Sequence, residues 1–243
     1  MRHRARPARR VILARALRVP LATLAVALGC GAGDKAPLDP SRLAIAKSET
    51  SSGDAQVAVA GTALPEELRV IVTADGAPAP GVPVLWATGE GSVSPTADTT
   101  DENGESTSRW TIKRLYAQQA AGVSLVAGGG SQVVFTAIGT PDPAAPNTVL
   151  VRGDGANRFE PAEVTIVVGD TVNWLWPEGS EGHNVVPDDG GSPPQSGPLR
   201  GYPTFHSFRF EVPGVYHYHC AAHGAAGGIG MSGTVTVLDS PVL

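Results

Sequence analysis

Five of the chain's six histidines, the second of its two cysteines and the second of its two methionines fall late in the sequence, at His183, His206, His217, His219, Cys220, His223 and Met231. The run Val215-Tyr-His-Tyr-His-Cys220 alternates as a strand does, so Tyr216, Tyr218 and Cys220 share one face while His217 and His219 take the other. Its aromatic company marks the Cys220 face as the inward one. His206, His217 and His219 are expected at the surface, not at a metal. An inward thiolate, His223 three residues on, the Met231 thioether beyond it and His183 far upstream make a His₂Cys set with a weak fourth donor. Soft sulfur favours Cu(I) and imidazole serves both oxidation states, so the set suits a copper ion that exchanges electrons. Zinc would more naturally add a second cysteine or a carboxylate and has no use for methionine. A nucleophilic pair of Cys220 and His223 is a third reading, but nothing nearby in sequence suggests an orienting group or an oxyanion hole.

Strands must position these residues. Val164-Thr-Ile-Val-Val168, the period-two face of Val172, Trp174 and Trp176, Phe208-Arg-Phe210 and Thr234-Val-Thr-Val-Leu238 predict a small sandwich or barrel, interrupted by a Gly/Pro-rich loop from Pro187 to Pro203. Trp174, Trp176, Tyr216 and Tyr218 read as its core. The earlier half shows the same pattern, with Leu68–Thr73, Val82–Trp86, Ser108–Ile112, Val123–Val126 and Gln132–Ala137 separated by turn formers such as Asp75-Gly76 and Asn103-Gly104. Trp86 and Trp110 are its expected core aromatics. Thr140-Pro-Asp-Pro-Ala-Ala-Pro146 between the halves reads as a stiff, extended linker. The fold class is therefore all-β, two sandwich domains in tandem, spanning residues 42–139 and 147–243 with the linker at 140–146.

Seven arginines and no acids occupy residues 1–29, followed by the apolar run Val19–Leu28 and then Gly29-Cys30. A basic segment, a short apolar segment and a small residue predict a secretory signal over 1–29. Residues 30–41 have no periodicity and read as a tether. Removing seven of the 18 basic residues leaves 11 against 23 acids, a net charge near −12. So acidic a chain is a poor ligand for nucleic acid. With 42% apolar residues the chain can build ordinary cores, and two cysteines exclude a disulfide-rich scaffold and any four-cysteine metal site. No apolar run reaches the roughly 18–20 residues of a spanning helix.

Four resemblances bear on this reading. Gly29-Cys30 resembles the lipobox at which bacterial lipoproteins are acylated, with Ala27 and Leu28 departing from its usual pattern; it implies a membrane anchor on Cys30. Ala74-Asp-Gly-Ala-Pro-Ala-Pro-Gly-Val-Pro-Val-Leu-Trp86, Gly91-Ser-Val-Ser-Pro95 and Thr100-Asp-Glu-Asn-Gly-Glu-Ser-Thr107 resemble the bacterial immunoglobulin-like domains of invasin- and intimin-type surface proteins, which implies a spacer or adhesion module. Phe159-Glu-Pro161, Val168–Trp174, Gly182-His-Asn-Val-Val186, Pro213–Cys220, His223-Gly224 and Gly230-Met-Ser-Gly-Thr-Val235 resemble the plastocyanin-like blue copper proteins, or cupredoxins. That resemblance implies one type 1 copper held by His183, Cys220 and His223, with Met231 as the long axial ligand and Asn184 tying the two ligand loops together. Seven residues separate His223 from Met231, more than is usual in the family, and the extra ones are expected to bulge outward beside His223. His217-x-His219 is similar to the histidine pairs of multicopper oxidases, which need several such pairs; this chain offers one.

Together these readings predict a non-enzymatic, extracytoplasmic carrier of single electrons in the periplasm or at the cell surface. Its redox partner would be a c-type cytochrome or a membrane oxidoreductase, and the immunoglobulin-like domain would serve as a tethered spacer. The competing reading is a surface adhesion or binding protein whose copper domain only holds or sequesters the metal.

Overall fold

The computed structural model describes residues 39–128 and 132–239. The expected signal segment, nearly all of the tether and Cys30 lie outside the described residues. Among the described residues the only helical element is one 3₁₀ turn, Pro40–Arg42, capped by the Asp39 carboxylate.

Ten strands build a first sandwich: β1 (Leu43–Lys47), β2 (Gln56–Val59), β3 (Leu68–Ala74), β4 (Ala77–Pro78), β5 (Pro83–Thr88), β6 (Ser92–Ser94), β7 (Ala97–Thr99), β8 (Glu105–Thr111), β9 (Gln118–Leu125) and β10 (Val133–Thr140). One sheet runs β1-β3-β8-β6 with β4 beside β3, and the other runs β2-β10-β9-β5-β7. The strands alternate buried and exposed positions, as in Leu68, Val70 and Val72 of β3. That period of two is what places one side of each strand in a shared core. Trp86, Trp110 and Phe135 anchor the core; the Trp86 indole N–H donates to Ser106 Oγ at 3.1 Å, so its polar edge is satisfied while its ring is buried.

Eight strands build the second sandwich: β11 (Thr148–Arg152), β12 (Arg158–Glu160), β13 (Glu163–Val167), β14 (Thr171–Trp176), β15 (Val186–Pro187), β16 (Thr204–Arg209), β17 (Gly214–Ala225) and β18 (Ile229–Leu238). Its sheets run β12-β11-β14-β16 and β13-β18-β17-β15. The pairs β11–β14 and β13–β18 are parallel, so the chain crosses between sheets rather than meandering. Val149, Val151, Phe159, Val172, Trp174, Trp176, Phe210, Tyr218, Val235 and Val237 form the core, and Cys220 and Met231 belong to the same cluster. Burying each indole removes roughly 150–250 Å² from water, an upper limit of about 4–6 kcal/mol apiece. Tyr218 meets Trp174 edge-on with centroids 5.3 Å apart. Its burial pushes the phenol well above the usual tyrosine range.

The segment between the sandwiches departs from the extended linker expected of its prolines. Asp142 Oδ1 accepts the Ala144 N–H at 2.9 Å, Ala145 N–H bonds back to Asp142 O, and Thr148 N–H bonds back to Ala145 O. An aspartate that can satisfy its own backbone two residues on makes a turn, and this outweighs the extended preference of the prolines. Tyr116, from the turn before β9, packs edge-on against Phe205 of β16 at 5.8 Å.

The two cores share no residue. Phe135→Ala is therefore expected to destabilise the first sandwich by about 3–5 kcal/mol while leaving amide-exchange protection in β18 unchanged, which hydrogen exchange resolved by residue would check.

Candidate metal centre

His183 is held by backbone. It lies between β14 and β15, where His183 N–H donates to Arg200 O at 3.0 Å and Arg200 N–H donates back to His183 O at 2.7 Å. The Trp176 indole N–H also donates to His183 O, at 3.2 Å. Two residues on, Val185 N–H donates to Ser196 Oγ and Ser196 N–H to Val185 O. The Pro187–Pro203 loop thus folds back alongside residues 180–185 and walls them off. It was a stretch without an assigned role in the sequence.

The His183 ring is 1% exposed and its Nε2 has no hydrogen-bond partner. Histidine ligands usually donate that second N–H to an oriented acceptor. Packing does the orienting here: a Cβ at Gly153 would stand 2.5 Å from His183 Nε2, so only a glycine leaves room for the ring. Burial, and then the nearby His223, hold the imidazole below the usual histidine range, which keeps it neutral and able to act as a donor.

Cys220 is fully buried and ends the regular part of β17. The β17–β18 register holds as far as His219 opposite Ser232 and shifts before Gly224 opposite Gly230, so the arc Cys220–His223 leaves the ladder. Within this arc the Ala221 N–H donates to Asn184 Oδ1 at 2.9 Å, and Asn184 Nδ2 donates to Gly197 O at 3.2 Å. Asn184 therefore ties the His183 segment, the Cys220 arc and the 187–203 loop together.

The His183 Nδ1 lies 3.7 Å from Cys220 Sγ and the His223 Nδ1 lies 3.5 Å from it. The rings are 4.7 Å apart, and the three donor atoms lie within 4.8 Å of one another. Two bonds of roughly 2.0–2.3 Å splayed by a trigonal angle of about 120° separate their donors by roughly 3.6 Å. The observed nitrogen–sulfur spacings match that figure, so the two imidazoles and the thiol are a donor set that could hold a copper ion. Met231 is 2% exposed in β18, within the core cluster that contains Cys220. His223 is exposed, unlike the other two donors.

The residues between His223 and Met231 lie at the surface, all but Gly224 exposed. They extend the β17–β18 hairpin, pairing Gly224 with Gly230 and Ala225 with Ile229. The close pairing needs Gly230, which has φ +64 and where a Cβ would stand 2.3 Å from His223 O. Ile229 projects outward at 64% exposure.

Of the three histidines expected at the surface, His217 is exposed. The other two are corrections. His219 Nδ1 lies 2.7 Å from Asp188 Oδ1 with only 14% of its side chain exposed, because β15 pairs with β17 as the edge strand of the same sheet and carries Asp188 alongside it. His206 is half-buried against Trp174, with Nε2 3.0 Å from Pro194 O. None of the three joins the donor cluster. Gly153, Ser196 and Asp188 had no sequence signal, since each meets its partner only through the fold; Trp176 was legible as core but not as the donor to His183 O.

Burial lowers the pKa of His183 and of His206, the latter despite the opposing Pro194 carbonyl. Both rings are neutral in the fold where the unfolded chain would take up protons. The metal-free protein is therefore expected to lose stability as pH falls through about 6.5, as denaturant unfolding at a series of pH values would measure. His206→Gln isolates the His183 share. Gly153→Ala is expected to displace the His183 ring and lower copper affinity by about 10–100-fold, read by competition with a chelator.

Residues 147–238 match the family of copper-binding proteins described as plastocyanin/azurin. The chain is 36% identical over 99 residues to plastocyanin of Scenedesmus fuscus, covering 37% of this chain and 97% of that protein. It is 32% identical over 120 residues to chloroplastic plastocyanin of Tetradesmus obliquus, covering 46% of this chain and 76% of that protein. Oxidised plastocyanin from Dryopteris crassirhizoma aligns with 26% identity and a TM-score of 0.32, over 37% of this chain and 99% of its own. The chain belongs to the plastocyanin/azurin family of copper-binding proteins, and its cofactor is one type 1 copper.

Proposed function

We propose that this chain is an extracytoplasmic, non-enzymatic electron carrier in which His183, Cys220 and His223, with the Met231 thioether, would hold the copper. The observation that supports this most strongly is the buried Cys220 thiol flanked by two imidazole Nδ1 atoms at 3.5 and 3.7 Å. The bound ion supplies a one-electron couple between Cu(I) and Cu(II). The chain's part is to keep its donors nearly fixed through that change. His183 is locked by Arg200, Trp176 and Gly153; Cys220 is locked by the core and by Asn184. Little then has to move when an electron does. Water is kept from the sulfur because Cys220 is itself fully buried, in the core cluster that also holds Val185, Tyr218 and Met231. The exposed ring of His223, in a stretch where Ala221, Ala222 and Ile229 are exposed too, offers the short route to a partner such as a c-type cytochrome or a membrane oxidoreductase.

In this reading residues 42–139 form an immunoglobulin-like spacer. The basic and apolar N-terminal segment directs export, and a lipid on Cys30 retains the protein at a membrane in the periplasm or at the cell surface. The acidic balance of the remaining chain favours a basic partner and disfavours nucleic acid.

The test uses residues 31–243 loaded with Cu(II). An intense thiolate-to-copper band, an unusual copper hyperfine splitting and reversible electron exchange with a c-type cytochrome are expected. Cys220→Ser is expected to abolish the band and the exchange. A blue wild-type protein that exchanges no electrons would favour copper holding or adhesion instead, and a mutant that stays blue would overturn the assignment of Cys220.

A further inference from the structure

The arc that bears Cys220 and His223 has no ladder partner across it, and a single carboxylate bridges its two flanks. Asp188 follows β15. Its N–H donates to His217 O at 3.0 Å, which continues the pairing of β15 and seats it beside β17. Its Oδ1 meets His219 Nδ1 at 2.7 Å, one residue before Cys220. Its Oδ2 accepts the Gly227 N–H at 2.8 Å, at the tip of the hairpin between His223 and Met231. The side chains of Asp188 and His219 are 15% and 14% exposed, so water competes weakly for these bonds. Burial opposes ionisation of Asp188, yet the bonds from His219 and Gly227 hold its carboxyl below the usual range. The carboxylate is thus the form that both contacts favour.

Apart from Ser232 Oγ donating to Gly230 O at 3.4 Å, no other side chain hydrogen-bonds to this hairpin tip among the described residues. Only two residue pairs, Gly224–Gly230 and Ala225–Ile229, close it, and three of its residues have a left-handed backbone: Gly227, Gly228 and Gly230. Such a hairpin is weak alone, since glycine has much backbone freedom to lose. It nevertheless connects directly to His223 at one end and Met231 at the other.

We propose that Asp188 is a positioning residue that braces the longer His223–Met231 connection and so fixes the spacing of Met231 from Cys220 and His223. The inference rests on the copper-carrier reading above. The reduction potential of such a site depends on its axial ligand. Releasing the brace lets the thioether drift outward, which withdraws a donor from Cu(II) more than from Cu(I) and raises the potential.

Three proteins test this: the wild type, Asp188→Ala and Asp188→Asn. In the metal-free proteins, Asp188→Ala is expected to speed amide exchange at Gly227 by at least about tenfold, since it removes a hydrogen bond to a charged acceptor. With copper bound, the same variant is expected to raise the reduction potential and change the relative strength of the thiolate-to-copper bands, with one copper still held per chain. Asp188→Asn keeps an acceptor for Gly227 and a donor towards His219, so it is expected to restore both readouts towards the wild type. An unchanged potential and spectrum in folded Asp188→Ala overturn the proposal. Should that variant fail to fold, Gly227 of the metal-free wild type decides: exchange much slower than at Gly228 supports the brace, and equal exchange overturns it. A wild-type protein without a blue band would refute the copper-carrier reading, while the exchange measurement would still judge the brace.

Discussion

The second sandwich is organised around a cost. A neutral imidazole and a thiol are buried side by side, and the His183 ring leaves Nε2 without a partner. An unsatisfied buried polar atom costs on the order of 1–3 kcal/mol. The cost is tolerable because the ring's place does not depend on that atom. Its backbone is paired on both sides with Arg200, its carbonyl is shared with the Trp176 indole, and its far edge rests on Gly153. The donors are thereby held near trigonal spacing by the polypeptide itself. A metal that changes charge in such a place meets ligands with little room to relax, which is the property an electron carrier needs.

The irregularities of the second sandwich follow from the same constraint. A strand held in a continuous ladder alternates its side chains and cannot aim Cys220 and His223, three residues apart, at one point. The β17–β18 register breaks over that arc, and the lost ladder bonds are replaced by side chains from elsewhere: Asn184 within the arc and Asp188 at its flanks. The Pro187–Pro203 loop supplies the opposite wall through Ser196, Gly197 and Arg200. The first sandwich faces no such demand. Its strands keep regular alternation around Trp86, Trp110 and Phe135, and its indole N–H groups find ordinary acceptors.

Much of this was legible in the sequence. Alternating apolar residues with glycine-rich turns dictate strands, because a period of two can bury only one face of an extended chain. The tyrosines beside Cys220 gave its direction, and the rare residue types His183, His223 and Met231 announced a donor set that few chemistries use. Contacts between distant segments were not legible. A proline-rich stretch looked extended, but Asp142 closes a turn that composition does not show. His219, by strand parity, and His206 were expected at the surface, yet Asp188 pairs with one and Trp174 packs against the other. The seven residues after His223 read as lying outward, as they do, but not as a hairpin closed by pairing across Gly224 and Gly230. Local pattern decides which residues can be donors and which strands bear them, since it depends on neighbours in the chain. The motif around Asn184 already implied its tie between the ligand loops, but tertiary structure alone decides what else holds those donors still, because Gly153, Asp188 and Arg200 act through space, and nothing in their own stretch of sequence records the partner they meet.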